Sequence, residues 1–184
     1  GKEDDRLLKA KEILEKMCPV QLEKNFIGMR FSKLLINAAF SGMSAVCGST
    51  FGEVSKRKDS RVCVQKIIKE CIDVCRKAGI KIEPIQGKDV VKLLDYSNGF
   101  KKKISFMLIP LCIKKHAALK ASMLQDLEKG KKTEVDSING SVVLYGQKNK
   151  VATPYNETVV RIIHEIEEGK RTPSFDNLKV FKEI

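Results

Sequence analysis

Apolar residues recur along most of this chain at intervals of three and four, the spacing that gathers side chains on one face of an α-helix. The clearest series is Val64, Ile67, Ile68, Cys71, Cys75 and Ala78, closed by Gly79, which predicts an amphipathic helix with a glycine stop. The same spacing predicts helices over residues 3–17, 26–47, 89–96, about 101–115, 122–145 and 154–168. For the last of these Thr153 offers an N-cap and Pro154 a first-turn proline, while Gly169 and Pro173 end it. Turn residues mark 84–87 and 97–99. Period-two alternation is scarce, and only Pro19-Val20-Gln21-Leu22 reads as a strand. The expected fold class is therefore mainly α, a helical bundle.

A lone strand has nothing to pair with, and a helix followed by a short strand is how a parallel α/β sheet ends its last crossover unit. Residues 1–25 are thus expected to be the tail of a missing N-terminal domain, its leftover helix and strand. Residues 26–184 are expected to form a helical domain. No GxGxxG loop, the mark of a dinucleotide-binding turn, and no internal repeat occur in the chain.

Residues 26–47 are apolar on nearly every side, so their helix is expected to be central and buried. Its polar exceptions Lys33, Asn37, Ser41 and Ser44 are spaced four, four and three, and at about 100° per residue they fall on one narrow stripe. Desolvating an ammonium is costly, so Lys33 either snorkels to water or faces a polar cleft where its pKa can be tuned for proton transfer. The pattern leaves both open. Further along, Ser122 with Gln125 fits a capping box. Glu134, seven residues after Leu127 and four before Ile138, is expected in the apolar seam of its helix. A carboxylate there needs a partner, and a lysine across a cleft would serve; a glutamate at a surface edge is the other reading.

Composition narrows the partner. The 184 residues carry 35 Lys and Arg against 23 Asp and Glu, a net charge of +12, with 42% hydrophobic residues. Disordered and collagen-like chains are excluded, and the charge calls for an anionic partner: nucleic acid, an acidic membrane surface, or a phosphate- or carboxylate-bearing ligand. No apolar run reaches the ~18 residues of a spanning helix, and the charged start Gly1-Lys2-Glu3-Asp4-Asp5 is not a signal peptide. No membrane partner is expected. The cysteines Cys18, Cys47, Cys63, Cys71, Cys75 and Cys112 include no CxxC pair and no His at metal-ligand spacing, so reduced, buried thiols in a cytoplasmic protein without a metal site are expected. Nucleic-acid binding would rest on Lys101–Lys103, Lys114–Lys115 and Lys131–Lys132. With 6% aromatic residues, no Trp and no helix carrying Arg or Asn at base-reading positions, that partner is not expected.

Five segments point further when taken together. Phe31-Ser32-Lys33-Leu34-Leu35-Ile36-Asn37-Ala38-Ala39-Phe40-Ser41-Gly42, Ser122-Met123-Leu124-Gln125-Asp126, Lys132-Thr133-Glu134-Val135-Asp136, Ile138-Asn139-Gly140 and Thr153-Pro154-Tyr155-Asn156 resemble, in order and spacing, the C-terminal domain of the ketopantoate reductase (2-dehydropantoate 2-reductase) family. The resemblance covers about residues 26–168; residues 56–120 match only in general helical character.

The resemblance implies a two-domain oxidoreductase that reduces ketopantoate to pantoate with NADPH, on the route to pantothenate and coenzyme A. It implies an N-terminal Rossmann domain holding most of the NADP and a helical domain, similar to that of 6-phosphogluconate dehydrogenase, which binds the small 2-keto acid at the cleft between the two. Lys33 would be the general acid on the ketone and the base in reverse. Glu134 would act at the substrate hydroxyl, Ser122 would hold the carboxylate, and Asn37 and Ser41 would bind substrate hydroxyls. Ser41 departs from the family, which usually has asparagine there. Another 2-keto acid as substrate and a homodimer as assembly are both compatible with the scaffold. The chain by itself is expected to be inactive.

Overall fold

The computed structural model describes residues 4–85 and 87–184, and helices account for most of them. The mainly α expectation holds: among the described residues no strand forms, and only a single bridge joins Ile85 to Lys88. The Asp4 carboxylate caps α1 (Asp5–Glu15) by accepting the Leu7 amide at 2.9 Å, but α1 buries none of its residues. Residue 3 of the predicted helix lies outside the described residues. Residues 19–22 are not a strand. Nothing in the described chain offers them an edge, and they run irregularly into Asn25.

Asn25 starts the helix that matters most. Its Oδ1 accepts the Gly28 amide at 3.1 Å, and its Nδ2 donates to the Lys81 carbonyl at 2.8 Å and to Glu83 at 2.7 Å. A Cβ on Gly28 would lie 2.0 Å from the Lys81 carbonyl oxygen, so glycine lets the two backbones meet. From there α2 (Phe26–Ile36) runs through a π turn (Asn37–Ser41) into α3 (Gly42–Cys47), one rod over the predicted 26–47. Burial along it is uneven. Residues 38–47 are all buried, whereas Phe26, Ile27 and Met29 are 58%, 52% and 38% exposed. The expectation of a central helix therefore holds only for the second half.

A capping box of Thr50 and Glu53 opens α4 (Phe51–Lys56). The longest helix, α5 (Lys58–Lys77), ends as predicted at Gly79, whose φ of 69° lets the Ile80 amide return to the Cys75 carbonyl at 2.8 Å. Its inner face packs on the π turn and on the helices that follow in the chain. The turn at 84–87 is closed by reciprocal Ile85–Lys88 hydrogen bonds of 2.9 Å, with residue 86 outside the described residues. Asp89 caps α6 (Val90–Leu94) and Asn98 caps α7 (Gly99–Ile113).

The single helix expected over 122–145 is two, α8 (Ser122–Glu128) and α9 (Val135–Asn149). Gly130, at φ 66°, turns the chain so that the Lys131 amide bonds the Asp126 carbonyl at 2.8 Å. Thr153 precedes α10 (Pro154–Glu167) as predicted, yet its hydroxyl bonds Glu157 at 3.0 Å and not the helix backbone. Glu70 of α5 caps α10 instead. It accepts the Tyr155 amide at 2.8 Å, the Asn156 amide at 3.0 Å and Asn156 Nδ2 at 2.7 Å. A 3-10 segment, Phe175–Lys182, packs on α3, with Asn177 Nδ2 donating to the Val46 and Thr172 carbonyls at 2.9 Å each. Cys47, Cys63, Cys71 and Cys75 are buried free thiols as expected, but Cys18 and Cys112 are exposed.

Candidate active-site cleft

Helix α2 with Asn37, and α9 with Glu134 just before it, form the walls of a cleft of about 730 Å³. Lys33, Asn37 and Glu134 all line it, so three of the five candidate residues meet in one place. Lys33 is exposed on the cleft wall, and among the described residues neither its ammonium nor the Asn37 side-chain amide has a hydrogen-bond or ion-pair partner. Both are available to a bound molecule. Phe26, Ile27 and Leu34 supply the apolar part of the wall, which is why the first turns of α2 are apolar without being core.

Glu134 does not sit in an apolar seam. Because the chain breaks between α8 and α9, Glu134 becomes the residue before α9 and is exposed, while Val135 and Ile138 take the buried positions. Its partner is the Ser122 hydroxyl, which donates to Oε1 at 3.1 Å, and not Lys33. The same bond corrects the capping box. Ser122 is the first residue of α8, its hydroxyl contacts no backbone amide, and Gln125 Nε2 donates to the Lys120 carbonyl at 3.3 Å.

Ser41 is brought to a different environment. It is 7% exposed, is not part of the cleft wall, and makes no side-chain hydrogen bond. Ser44 is fully buried, donating to the Ser49 carbonyl at 2.6 Å and accepting the Ala121 amide at 3.3 Å. The π turn explains the split. One extra residue per turn shifts everything beyond it by about 100° around the axis, so the narrow stripe drawn for a regular α-helix ends at Asn37.

The cleft also holds groups that the sequence reading passed over. Arg30 lines it three residues before Lys33, with its guanidinium 5.7 Å from the Phe26 ring centroid. Tyr145 closes the α9 side by an edge-on contact with Phe31 at 5.0 Å. The i, i+3 spacing of Arg30 and Lys33 was the available signal. Two cations and one carboxylate on the same cleft wall favour an anion that also carries a polar group. No dinucleotide cradle accompanies them, because the described glycines at positive φ follow helices or close turns and none joins a strand to a helix.

A helical bundle whose cleft gathers Arg30, Lys33, Asn37 and Glu134 defines a helical domain with a candidate site for a small anionic ligand. The chain belongs to the family Ketopantoate reductase PanE/ApbA C terminal, which matches residues 25–167. The 2-dehydropantoate 2-reductase of Aquifex aeolicus is 27% identical over 165 residues, 89% of this chain and 48% of the relative. That of Archaeoglobus fulgidus is 26% identical over 139 residues, 76% of this chain and 40% of the relative. The chain thus spans about half the length of the curated relatives it matches. In fold it is similar to a PanE/ApbA family ketopantoate reductase from Ralstonia eutropha, with a TM-score of 0.74 and 22% identity over 90% of this chain and 50% of the other. A D-mandelate dehydrogenase solved with NADH and anilino(oxo)acetate has a TM-score of 0.69 and 21% identity over 91% of this chain and 50% of the other.

Proposed function

We propose that this chain is the substrate-side half of an NADPH-dependent 2-dehydropantoate 2-reductase, with Lys33 as its proton donor. The observation that carries the reading is the meeting of Lys33, Asn37 and Glu134 in one cleft of a chain that belongs to this family. In this reading residues 1–25 are the end of a nucleotide-binding domain, consistent with an α1 that buries nothing and leaves Leu7, Leu8, Ile13 and Leu14 exposed. Relatives about twice as long accommodate such a domain. A nicotinamide bound by that domain supplies the hydride.

The residues of this chain do the rest. Arg30 and Lys33 draw the anionic keto acid into the cleft, and the Asn37 amide and the Ser122–Glu134 pair fix its polar end. As the ketone carbon is reduced, negative charge grows on its oxygen. The Lys33 ammonium neutralises that charge and transfers a proton to it, a contribution of about 10²- to 10⁴-fold in rate. Glu134 aligns the ammonium once substrate bridges them. Ser41, buried and off the cleft wall, has a weaker claim to substrate contact than Asn37. Buried free thiols suit a cytoplasmic setting. A homodimer is proposed by analogy with the Staphylococcus aureus ketopantoate reductase described as dimeric.

The test is NADPH oxidation by the full-length protein with ketopantoate. Turnover is expected there and not with the 184-residue chain alone; cofactor turnover by the isolated chain would overturn the two-domain reading. A second reading has a specific observation behind it. The fold is shared with a D-mandelate dehydrogenase, so a larger 2-keto acid preferred over ketopantoate, or NADH over NADPH, would move the assignment to that side of the fold.

A further inference from the structure

Two of the segments that carried the family resemblance, Ile138-Asn139-Gly140 and Thr153-Pro154-Tyr155-Asn156, contribute little to the cleft itself. They meet instead behind it. Asn139 is fully buried, and its Nδ2 donates to the Ala38 carbonyl inside the π turn at 3.1 Å and to Asn156 Oδ1 at 2.9 Å. Asn156, also fully buried, donates its own Nδ2 to Glu70 Oε2 at 2.7 Å. The chain of bonds has one direction. Glu70 accepts, so the Asn156 amide must turn its nitrogen to Glu70 and its oxygen to Asn139, and Asn139 must then present its nitrogen to Ala38.

We propose that Asn139, oriented through Asn156 by Glu70, is a positioning residue that locks the π turn and thereby holds Lys33 and Asn37 in the cleft. The proposal rests on the reductase reading of that cleft. A π turn is rare and occurs mostly where function requires it, and something must hold it against relaxing to regular α-helix. Asn139 is that hold, retained although its Oδ1 is left buried without a partner, which native proteins seldom tolerate. Gly42 makes room for it: a Cβ there would fall 2.9 Å from Asn139 Oδ1 and 3.0 Å from Val159 Cγ1. The consequence for the cleft follows from what is anchored. Residues 38–47 are fixed in the core, so loss of the extra residue in the turn would rotate the exposed half, carrying Lys33 and Asn37 about 100° around the axis.

Asn177 provides the control, since it too is a buried asparagine capping a carbonyl of the same rod, that of Val46, and it lies beyond the π turn. Asn139→Ala and Asn177→Ala are compared in the full-length protein for kcat, KM, Tm and backbone hydrogen exchange. Asn139→Ala is expected to lower kcat for ketopantoate at least about tenfold and raise its KM, and to speed exchange selectively at amides 38–43. Asn177→Ala should lose a similar Tm while kcat and KM stay within about twofold. Equal kinetic effects of the two at matched Tm loss, with no local exchange at 38–43, would overturn the proposal. Should Asn139→Ala fail to fold, Asn139→Leu takes its place: it keeps the volume of the side chain but removes the donor to the Ala38 carbonyl, and the same kinetic split is expected. If the wild-type protein reduces no 2-keto acid, the reductase reading fails, and selective or uniform exchange in Asn139→Ala still decides for or against the lock.

Discussion

Glu70 and Glu134 are both carboxylates set at the start of a helix, and the structure uses them in opposite ways. Glu70 is buried between α5 and α10, accepts three hydrogen bonds, and is pushed by burial to a pKa of about 7 in spite of those donors. Glu134 is exposed beside α9, accepts one hydroxyl, and faces a cleft that also holds an unpaired lysine. A buried carboxylate with three of its acceptor positions spent on the fold is closed to a ligand. One with a single light contact keeps lone pairs free for a substrate, at little cost to stability.

The sharpest way to break this comparison is to remove the cation on the Glu134 side. If the proposed function holds, Lys33→Ala in the full-length protein is expected to lower kcat by about 10²- to 10⁴-fold while cofactor affinity, read by equilibrium titration, stays near wild type. Glu134→Ala should lower kcat as well, and the double variant should lose far less than the product of the two, because a donor and the group that aligns it act as one unit. Near-normal kcat in Lys33→Ala on every 2-keto acid tried would reassign the cleft.

Stability divides the two carboxylates next. Glu70→Ala strips three donors of their acceptor in a buried place and is expected to cost about 3 kcal/mol in urea unfolding, whereas Glu134→Ala should stay within about 0.5 kcal/mol. A comparable loss from both would mean that Glu134 is as structural as Glu70.

That contrast also shows where sequence reasoning reached and where it stopped. The helix of Val64 to Cys75 with its Gly79 stop was legible because its period, its burial and its terminator are all local. Lys33 and Asn37 were legible as a polar pair on an apolar rod for the same reason. Ser41 leaves the stripe because a π turn interrupts the rod, and no local pattern announces that turn or the bond it receives from Asn139, 101 residues from Ala38 in sequence. Of the two readings of Glu134 the surface edge holds and the apolar seam does not, because Gly130 breaks the helix that the seam assumed, and a glycine followed by Lys131 and Lys132 is a fair helix stop. Glu70 drew no attention at all. It lies on the predicted helix among apolar neighbours, and its role depends on α10 arriving with three free donors.

The raised pKa of Glu70 gives the comparison a pH axis. Its folded value of about 7 lies above its ordinary 4.5, so between those values the folded state holds a proton that the unfolded chain has released. Stability from this group is therefore greatest at low pH and falls as pH rises from about 4.5 to 7, by at most about 1.4 kcal/mol per pH unit, and levels off above. Glu157 adds to the upward shift, and Tyr155 and Asn156 oppose it through their hydrogen bonds. His164, raised by its bond to Glu167, also loses stability with rising pH, but it remains in both proteins and cancels in a comparison of wild type with Glu70→Gln. Chemical denaturation of the two from pH 4.5 to 8 should show a falling slope that Glu70→Gln flattens; Glu134→Gln should leave it unchanged.

The smallest effect separates structure from chemistry at Ser122. Had its hydroxyl capped α8, Ser122→Ala would cost about 1 kcal/mol. It makes no such bond and donates only to Glu134 across an exposed gap of 3.1 Å, so urea unfolding of Ser122→Ala should match wild type within about 0.5 kcal/mol. If the hydroxyl turns from Glu134 to the carboxylate of a bound keto acid, the loss should show instead in KM, a rise of about five- to tenfold for one hydrogen bond to a charged group, with kcat changed less. A Tm drop without a change in KM would place Ser122 with Glu70 among the groups spent on the fold, and would leave the substrate carboxylate to Arg30, the cation nearest to Lys33 in sequence on the cleft wall.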